Sequence, residues 1–291
     1  MKGRIHSPVV AGLRYSAARW LVSFLAEKIP AVGWRTYRVR PVPTVPLYES
    51  NRRDFRSQLC GPAAMENEHL RVEVRSDGSF DLVDKNTDRR FKRLNYFEDG
   101  GDVGFAQTYC PPARDEKVTS LGGPARTVVE EDGALRTVLR TERVLRVPVD
   151  AEMDGAARSA QLTDIPLTSR LTLRRGARCV EIETEFENTA RDHRLRAVFP
   201  SGLAGAGQST AAIPFDVVER PIAAPDSRAW REGYYPTHPA GSFVDVCDGD
   251  AGLAVFTQGL KEYEVLDDPS RPVCITLLRA QRGSMSIHSP E

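Results

Sequence analysis

The feature that most limits the fold of this chain is a period-two alternation of apolar and charged residues, broken repeatedly at Asp-Gly. In HLRVEVRSDGSFDLVDK (69–85), Leu70, Val72 and Val74 alternate with charged residues, Asp77-Gly78 marks a turn, and Phe80 and Leu82 carry the return. Successive side chains of a strand point to opposite faces, so this pattern buries one face and wets the other. Asp-Gly between two such runs is a preferred sequence for a tight hairpin, whose central residues take positive φ. The pattern recurs around Asp132-Gly133, and again at Asp248-Gly249, where FVDV (243–246) precedes GLAVFTQ (252–258). In a fourth hairpin, Leu167, Ser169, Leu171 and Leu173 point one way before Arg175-Gly176, and Val180, Ile182, Thr184 and Phe186 point inward after it. The expectation is an all-β, antiparallel sandwich.

The other face of the fourth hairpin carries Glu181, Glu183, Glu185 and Glu187, with Arg170 and Arg174 on the partner strand. Cross-strand ion pairs on a solvated sheet face account for this row without a metal. Long helices are not evident: residues 13–29 have an amphipathic look, but Ile29-Pro30 and Val32-Gly33 cut the segment short. Pro41, Pro43 and Pro46 mark an extended linker, so a strand or two before residue 50 and a proline-rich crossing precede the sandwich. Segment 150–165 is expected to be a loop or brief helix, and the Gly/Ala/Ser-rich 201–212 a mobile surface loop. FEDGGDVGFAQTYCPPARD (97–115) does not read as a strand; it carries Glu98, Asp99 and Asp102, an aromatic pair and a Pro-Pro stop. Such a loop either offers carboxylates and a ring to a sugar or simply connects two sheets.

Composition removes several functions. Lys plus Arg and Asp plus Glu are 40 each, a net charge of zero that argues against a nucleic-acid partner held by phosphate contacts. No run approaches the roughly 18 to 20 apolar residues that cross a bilayer, and Arg14 and Arg19 interrupt any signal-peptide core. Five widely spaced cysteines without a CxxC pair suggest neither a disulfide framework nor a zinc knuckle, and point to a reducing cytoplasm. None of His6, His69, His193, His238 and His288 stands in HxD, HxH or HExxH, so no metal site is expected in this chain. GxSxG, GxGxxG and GxxxxGK[ST] are absent. Glycoside hydrolysis needs only two suitably placed carboxylates and stays open.

Eight segments, in order, carry a family likeness: FLAEKIPAVGWRTYRV (24–39), MENEHLRVEVRSDGSFDLVDK (65–85), FEDGGDVGFAQTYCPP (97–112), NTARDHRLRAVFP (188–200), FDVVERP (215–221), HPAGSFVDVCDGDAGLAVF (238–256), GLKEYEV (259–265) and ITLLRA (275–280). Together they resemble the C-terminal β region of glycoside hydrolase family thirty-eight, the α-mannosidases, in its bacterial, mannosylglycerate-hydrolase-like branch. The resemblance implies a large antiparallel supersandwich like that of galactose mutarotase over 51–291, preceded by a short β segment, with 1–50 the remnant of a small β domain and its linker. It also implies that the aspartate nucleophile and the zinc ion belong to a catalytic barrel absent from this chain, leaving no catalytic or metal residue here. Asp102 and Tyr109 would border the glycone site of an intact enzyme, with Asp192, His193, Arg194, Glu262 and Tyr263 as further substrate-binding candidates. The alternative for those five is interior ion pairing that locks sheet edges. Phe105, Ala106 and Gln107 depart from the family pattern, which weakens sugar contacts from that loop, and QRGSMSIHSPE (281–291) departs from the expected continuation, as a truncated or frameshifted reading frame would.

The expected function is the carbohydrate-contacting scaffold of an α-mannosidase, silent by itself, with an α-mannoside and the missing catalytic domain as partners. The alternative is a stand-alone carbohydrate-binding module built on Tyr109, Trp230, Tyr234 and Tyr235, where WREGYYPTHP (230–239) is either a stacking platform or a core cap. An epimerase or lyase would need a His and a Glu converging in one cleft, and only His193 and His238 are central enough.

Overall fold

The computed structural model describes residues 24–38, 57–106, 108–230 and 234–282. Residues 24–38 hold no strand, and the rest of the segment where an early strand was expected lies outside the described residues, as do 13–23. A five-stranded meander comes first, in chain order: β1 (Leu59–Gly61), β2 (Ala64–Glu66), β3 (Leu70–Val74), β4 (Phe80–Asp84) and β5 (Arg89–Leu94). β6 (Tyr96–Gly101) and β7 (Val118–Thr119) then leave for a different sheet. A second meander follows from β8 (Ala125–Asp132), β9 (Arg136–Pro148), β10 (Leu162–Arg174) and β11 (Val180–Phe186). The remaining strands are β12 (His193–Pro200), β13 (Gln208–Ile213), β14 (Asp216–Pro221), β15 (His238–Pro239), β16 (Phe243–Cys247), β17 (Gly252–Phe256), β18 (Glu262–Val265) and β19 (Pro272–Ala280). They complete a six-stranded sheet in the order β15-β18-β19-β12-β6-β7 and a four-stranded one in the order β14-β13-β16-β17. All neighbouring strands run antiparallel, and the described residues contain no helix that is long and apolar enough to cross a membrane.

The alternating runs fold as their period demands. β9 and β10 pair without a break from Leu162 opposite Pro148 to Arg174 opposite Arg136. Leu167, Ser169, Leu171 and Leu173 are buried, while Arg174 reaches Glu181 at 2.6 Å and Arg170 reaches Glu185 at 3.0 Å on the wet face. One apolar core draws on all four sheets, with Met65 and Val72 from the first, Leu139 and Leu171 from the second, Leu195 and Val273 from the third, and Val244 from the fourth. Each such side chain contributes about 1.5–3 kcal/mol by leaving water.

Polar staples fix the sheets to one another. Asn67 donates from Nδ2 to the carbonyls of Arg174 and Ala177, both at 2.8 Å, tying the first meander to the β10–β11 turn. Arg143 of β9, buried and without a carboxylate at its guanidinium, donates to the carbonyls of Asp77, Gly78 and Asn95 and lies over the Phe97 ring at 4.8 Å. Burial pushes its pKa down to about 10, against the pull of Asp77. Gly78 is required twice over: its φ is 77°, and a Cβ there would come within 2.8 Å of Cζ of Arg143.

Four expectations need correction. The Asp-Gly turns are longer than two residues, at 75–79, 133–135 (with Asp132 ending β8) and 248–251, and only Gly78 and Gly249 among those glycines have positive φ. Segment 201–212 is not a surface loop: Leu203 and Ala206 are in the core, and 208–212 are strand. Residues 97–101 are also strand, because β6 lies between β7 and β12 and both its faces are covered, so no polar-apolar alternation marks it. Segment 150–161 is irregular as expected, but β10 already begins at Leu162.

Candidate functional site

The strand that organises the candidate residues is β12, whose residues 193–199 are all buried. Alternation sends His193, Leu195, Ala197 and Phe199 to one side and Arg194 and Arg196 to the other. Arg196 stands opposite Glu98 of β6 and opposite Thr276 of β19. Its guanidinium hydrogen-bonds Glu98 on one side and, past the short Thr276 side chain, Glu264 of β18 on the other. Arg194 donates to Glu264 at 3.4 Å and pairs with Glu262 at 3.7 Å, and Lys117 and Arg279 close the chain of charges at Glu98 (3.3 Å) and Glu262 (3.6 Å). Thr276 donates to Glu262 at 2.7 Å. Burial opposes ionisation of Glu98, yet Arg196 and Lys117 hold its carboxyl below the usual carboxylate range. Burial likewise works against a charged Arg196, and the surrounding anionic groups Glu98 and Glu264 outweigh it, so the pKa is raised.

The acidic loop after β6 folds over this charged face. Asp102 is fully buried: one oxygen accepts from the amides of Gly104 (3.1 Å) and Cys110 (3.3 Å), the other from Arg279 Nε at 2.7 Å. Arg279 also donates to the carbonyls of Phe105 and Ala106, at 2.8 and 3.2 Å. Gly104 permits the tight return, since a Cβ there would stand 2.2 Å from the Thr108 carbonyl oxygen. Tyr109 lies against the Arg194 guanidinium, whose carbon is 3.4 Å from the ring centroid. Burial, with Asp115 and Asp102 nearby, pushes the Tyr109 phenol up to about 12 in spite of Arg194.

The remaining candidates face elsewhere. His193 is clamped between Asp99 Oδ2 (2.5 Å) and Asn188 Oδ1 (2.9 Å), and Asp99 is also bonded by Arg158. Asp192, with φ 53°, breaks the strand just before His193 and accepts from Arg282 Nε and Nη2 at 3.0 and 2.7 Å. Tyr263 points into the core, 1% exposed, with its hydroxyl on Arg220 Nη1 (3.0 Å) and Ser209 (3.3 Å). Tyr109, Arg194, Glu262 and, through Arg279, Asp102 therefore meet on one face, whereas Asp192, His193 and Tyr263 do not join them. The sequence reading missed Arg196, Glu264 and Arg279 as members of this face. The cross-strand match of Arg196 with Glu98 was the available signal, hidden because Glu98 read as loop.

Chemically, this face is closed on itself. Each of the seven buried carboxylates among the described residues (Asp77, Asp81, Glu98, Asp99, Asp102, Asp192 and Glu264) already accepts from a cation or from backbone and hydroxyl donors. No group of three His, Cys, Asp or Glu side chains able to hold a metal forms among the described residues.

Comparison with known proteins now has a geometry to rest on. Residues 65–282 match the family described as "Glycosyl hydrolases family 38 C-terminal domain". A protein of Halalkalibacterium halodurans named "Putative mannosylglycerate hydrolase" is 30% identical over 249 residues, which cover 80% of this chain and 27% of that protein. The crystal structure of an α-mannosidase from Enterococcus faecalis V583 superposes with a TM-score of 0.71 at 28% identity, over 76% of this chain and 26% of that one. A second Enterococcus faecalis structure, of a protein in glycosyl hydrolase family 38, gives 0.68 at 27% identity with the same coverage. The chain thus spans about a quarter of the length of these relatives. With three quarters of its residues inside the family match, the chain belongs to the C-terminal domain family of glycoside hydrolase family 38.

Proposed function

We propose that this chain is the carbohydrate-framing β portion of an α-mannosidase-type retaining glycoside hydrolase, and that cleavage of an α-mannoside depends on polypeptide outside it. Residues 51–291 are taken as that portion, its four sheets as a supersandwich of the galactose-mutarotase kind, and 1–50 as the remnant of a preceding small β domain. The loop 102–110 stands at the rim of the sugar site in this reading, with Tyr109 and the Asp102–Arg279 pair shaping it. Mannosylglycerate is the first substrate to consider, since a relative's name carries it. Zinc would belong to that other polypeptide, and a reducing cytoplasm suits five cysteines that are all free.

The observation that supports this reading most is the engagement of every buried carboxylate among the described residues. A retaining glycosidase needs one carboxylate free to attack the anomeric carbon and a second carboxyl about 5 Å away to protonate the leaving oxygen. Carboxylates held by guanidinium groups are poor nucleophiles and poor acids, because each reaction would first break a charge-assisted hydrogen bond. The test is hydrolysis of an aryl α-mannoside by the purified chain, with and without added zinc. Background rates in both arms are expected; turnover well above background in either arm would overturn the proposal.

A further inference from the structure

We propose that the outer face of the sheet β14-β13-β16-β17 is a second sugar-binding surface, separate from the charged sheet face, on which Phe256 and Phe243 meet the C–H face of a pyranose while Asp245 and Thr210 meet its hydroxyls. The choice of a sugar as ligand rests on the glycosidase reading above; the arrangement of the face does not.

The pleat places these residues together. Ser209, Ala211, Val244, Val246 and Leu253 are buried on the core side of the sheet. The residues between them on β13, β16 and β17 therefore point outward, because successive side chains of a strand take opposite faces. Two rows cross that outer side. One holds Glu219, Thr210, Asp245 and Ala254, each directly opposite the next on the neighbouring strand. The other holds Val217 opposite Ala212, and Phe243 opposite Phe256 with the ring centroids 6.0 Å apart. Phe256 is the diagonal neighbour of Asp245, a spacing of about 7–8 Å that leaves the two on either side of one sugar ring.

The apolar row is wet at both ends: Phe256 is 73% exposed and Val217 52%. Beside it, the half-buried Asp245 has no cation among the described residues to answer it. Burial lifts its carboxyl above the usual value, and only the Val246 amide opposes. Small neighbours keep that carboxyl open to a ligand. Thr210 and Ala254 flank it, and at Gly252 a Cβ would stand 3.4 Å from Asp245 Oδ1. An unpaired carboxyl and a hydroxyl next to an exposed ring suit a neutral ligand with an apolar C–H face and a rim of hydroxyls, which is the chemistry of a pyranose. A cation would use the carboxylates alone and an apolar peptide the rings alone, whereas a sugar uses both rows at once. Side chains already ordered on a sheet lose little entropy on binding, which lets a small surface hold a monosaccharide.

The experiment is ligand-observed NMR titration of the full chain with methyl α-mannoside, with methyl α-glucoside as a second sugar and N-acetyl-lysinamide as a cationic comparator. Saturable binding of methyl α-mannoside in the millimolar range is expected. It should weaken about tenfold in Phe256→Ala and in Asp245→Asn at an unchanged melting midpoint, and stay unchanged in Tyr109→Phe. Binding of the glucoside alone, weakened by the same two variants, would uphold the surface and count against the mannosidase reading. Saturable binding of the lysine derivative alone, no saturable binding at all, or sugar binding that both variants retain in full would overturn it.

Discussion

Glu98 and Glu264 share one guanidinium. Arg196, 1% exposed on the central strand, donates from Nη2 to Glu98 and from Nη1 to Glu264, and so joins β6 to β18 through the middle of the six-stranded sheet. Lys117 also reaches Glu98 and Arg194 also reaches Glu264, but only Arg196 bonds both carboxylates and so joins the two halves of the network. Arg196→Met would take from both buried anions the cation they share, leaving only Lys117 at Glu98 and Arg194 at Glu264, at a cost of about 3 kcal/mol. Adding Glu98→Gln and Glu264→Gln to that variant should recover part of the loss, because two buried anions with only one weaker partner each are then gone. Urea unfolding of the single and triple variants measures both effects, and a single-variant cost below about 1 kcal/mol would mean that water reaches the pair.

Phe215 pays backbone strain without burying anything. It occupies the second position of the two-residue connection Pro214-Phe215 between β13 and β14, with φ 68° and 108% exposure. Proline suits the first position of such a turn, whereas the second, left-handed one favours Gly or Asn. The Cβ clash costs about 1–2 kcal/mol for an L-residue, and no lost packing offsets its removal here. Phe215→Asn is expected to raise the thermal midpoint and Phe215→Val to lower it, both read by calorimetry. An unchanged midpoint in the Asn variant would show that the turn holds no such strain.

How much of this was legible in the sequence depended on where water lies. β10 and β11 face solvent on one side, so Leu167, Leu171 and Leu173 alternate with threonines and arginines, and the strands, register face and ion pairs to Glu181 and Glu185 could be read directly. β6 and β12 are covered on both faces by other parts of the chain, and their polar residues are interior partners, not a wet face. Glu98, Asp99 and Arg196 therefore broke the pattern that identifies a strand, and β6 read as loop. The site candidates suffered the same way: His193 and Arg194 are adjacent in sequence, but the pleat sends one to Asp99 and the other to Glu264. Only the family resemblance carried the architecture across these segments, because it does not depend on alternation.

The six-stranded sheet should also be the alkaline weak point of the fold. Burial, with Cys274 and Glu98 nearby, pushes the Tyr96 phenol from 10 up to about 12, against Arg196. Burial does the same to Tyr109, and raises the fully enclosed Cys274 thiol from 9 to about 12. Each group loses its proton more easily in the unfolded chain than in the folded one. Its contribution is therefore complete below the unfolded pKa and lost as pH rises through the folded one. The window runs from about pH 9, where an unfolded cysteine begins to ionise, to about pH 12. Circular-dichroism melts should show a steep fall in midpoint across that window, and Tyr96→Phe, which keeps the ring and removes the proton, should lose less between pH 10 and 12. Parallel curves for the variant and the parent chain would show that Tyr96 ionises as easily in the folded sheet as in water.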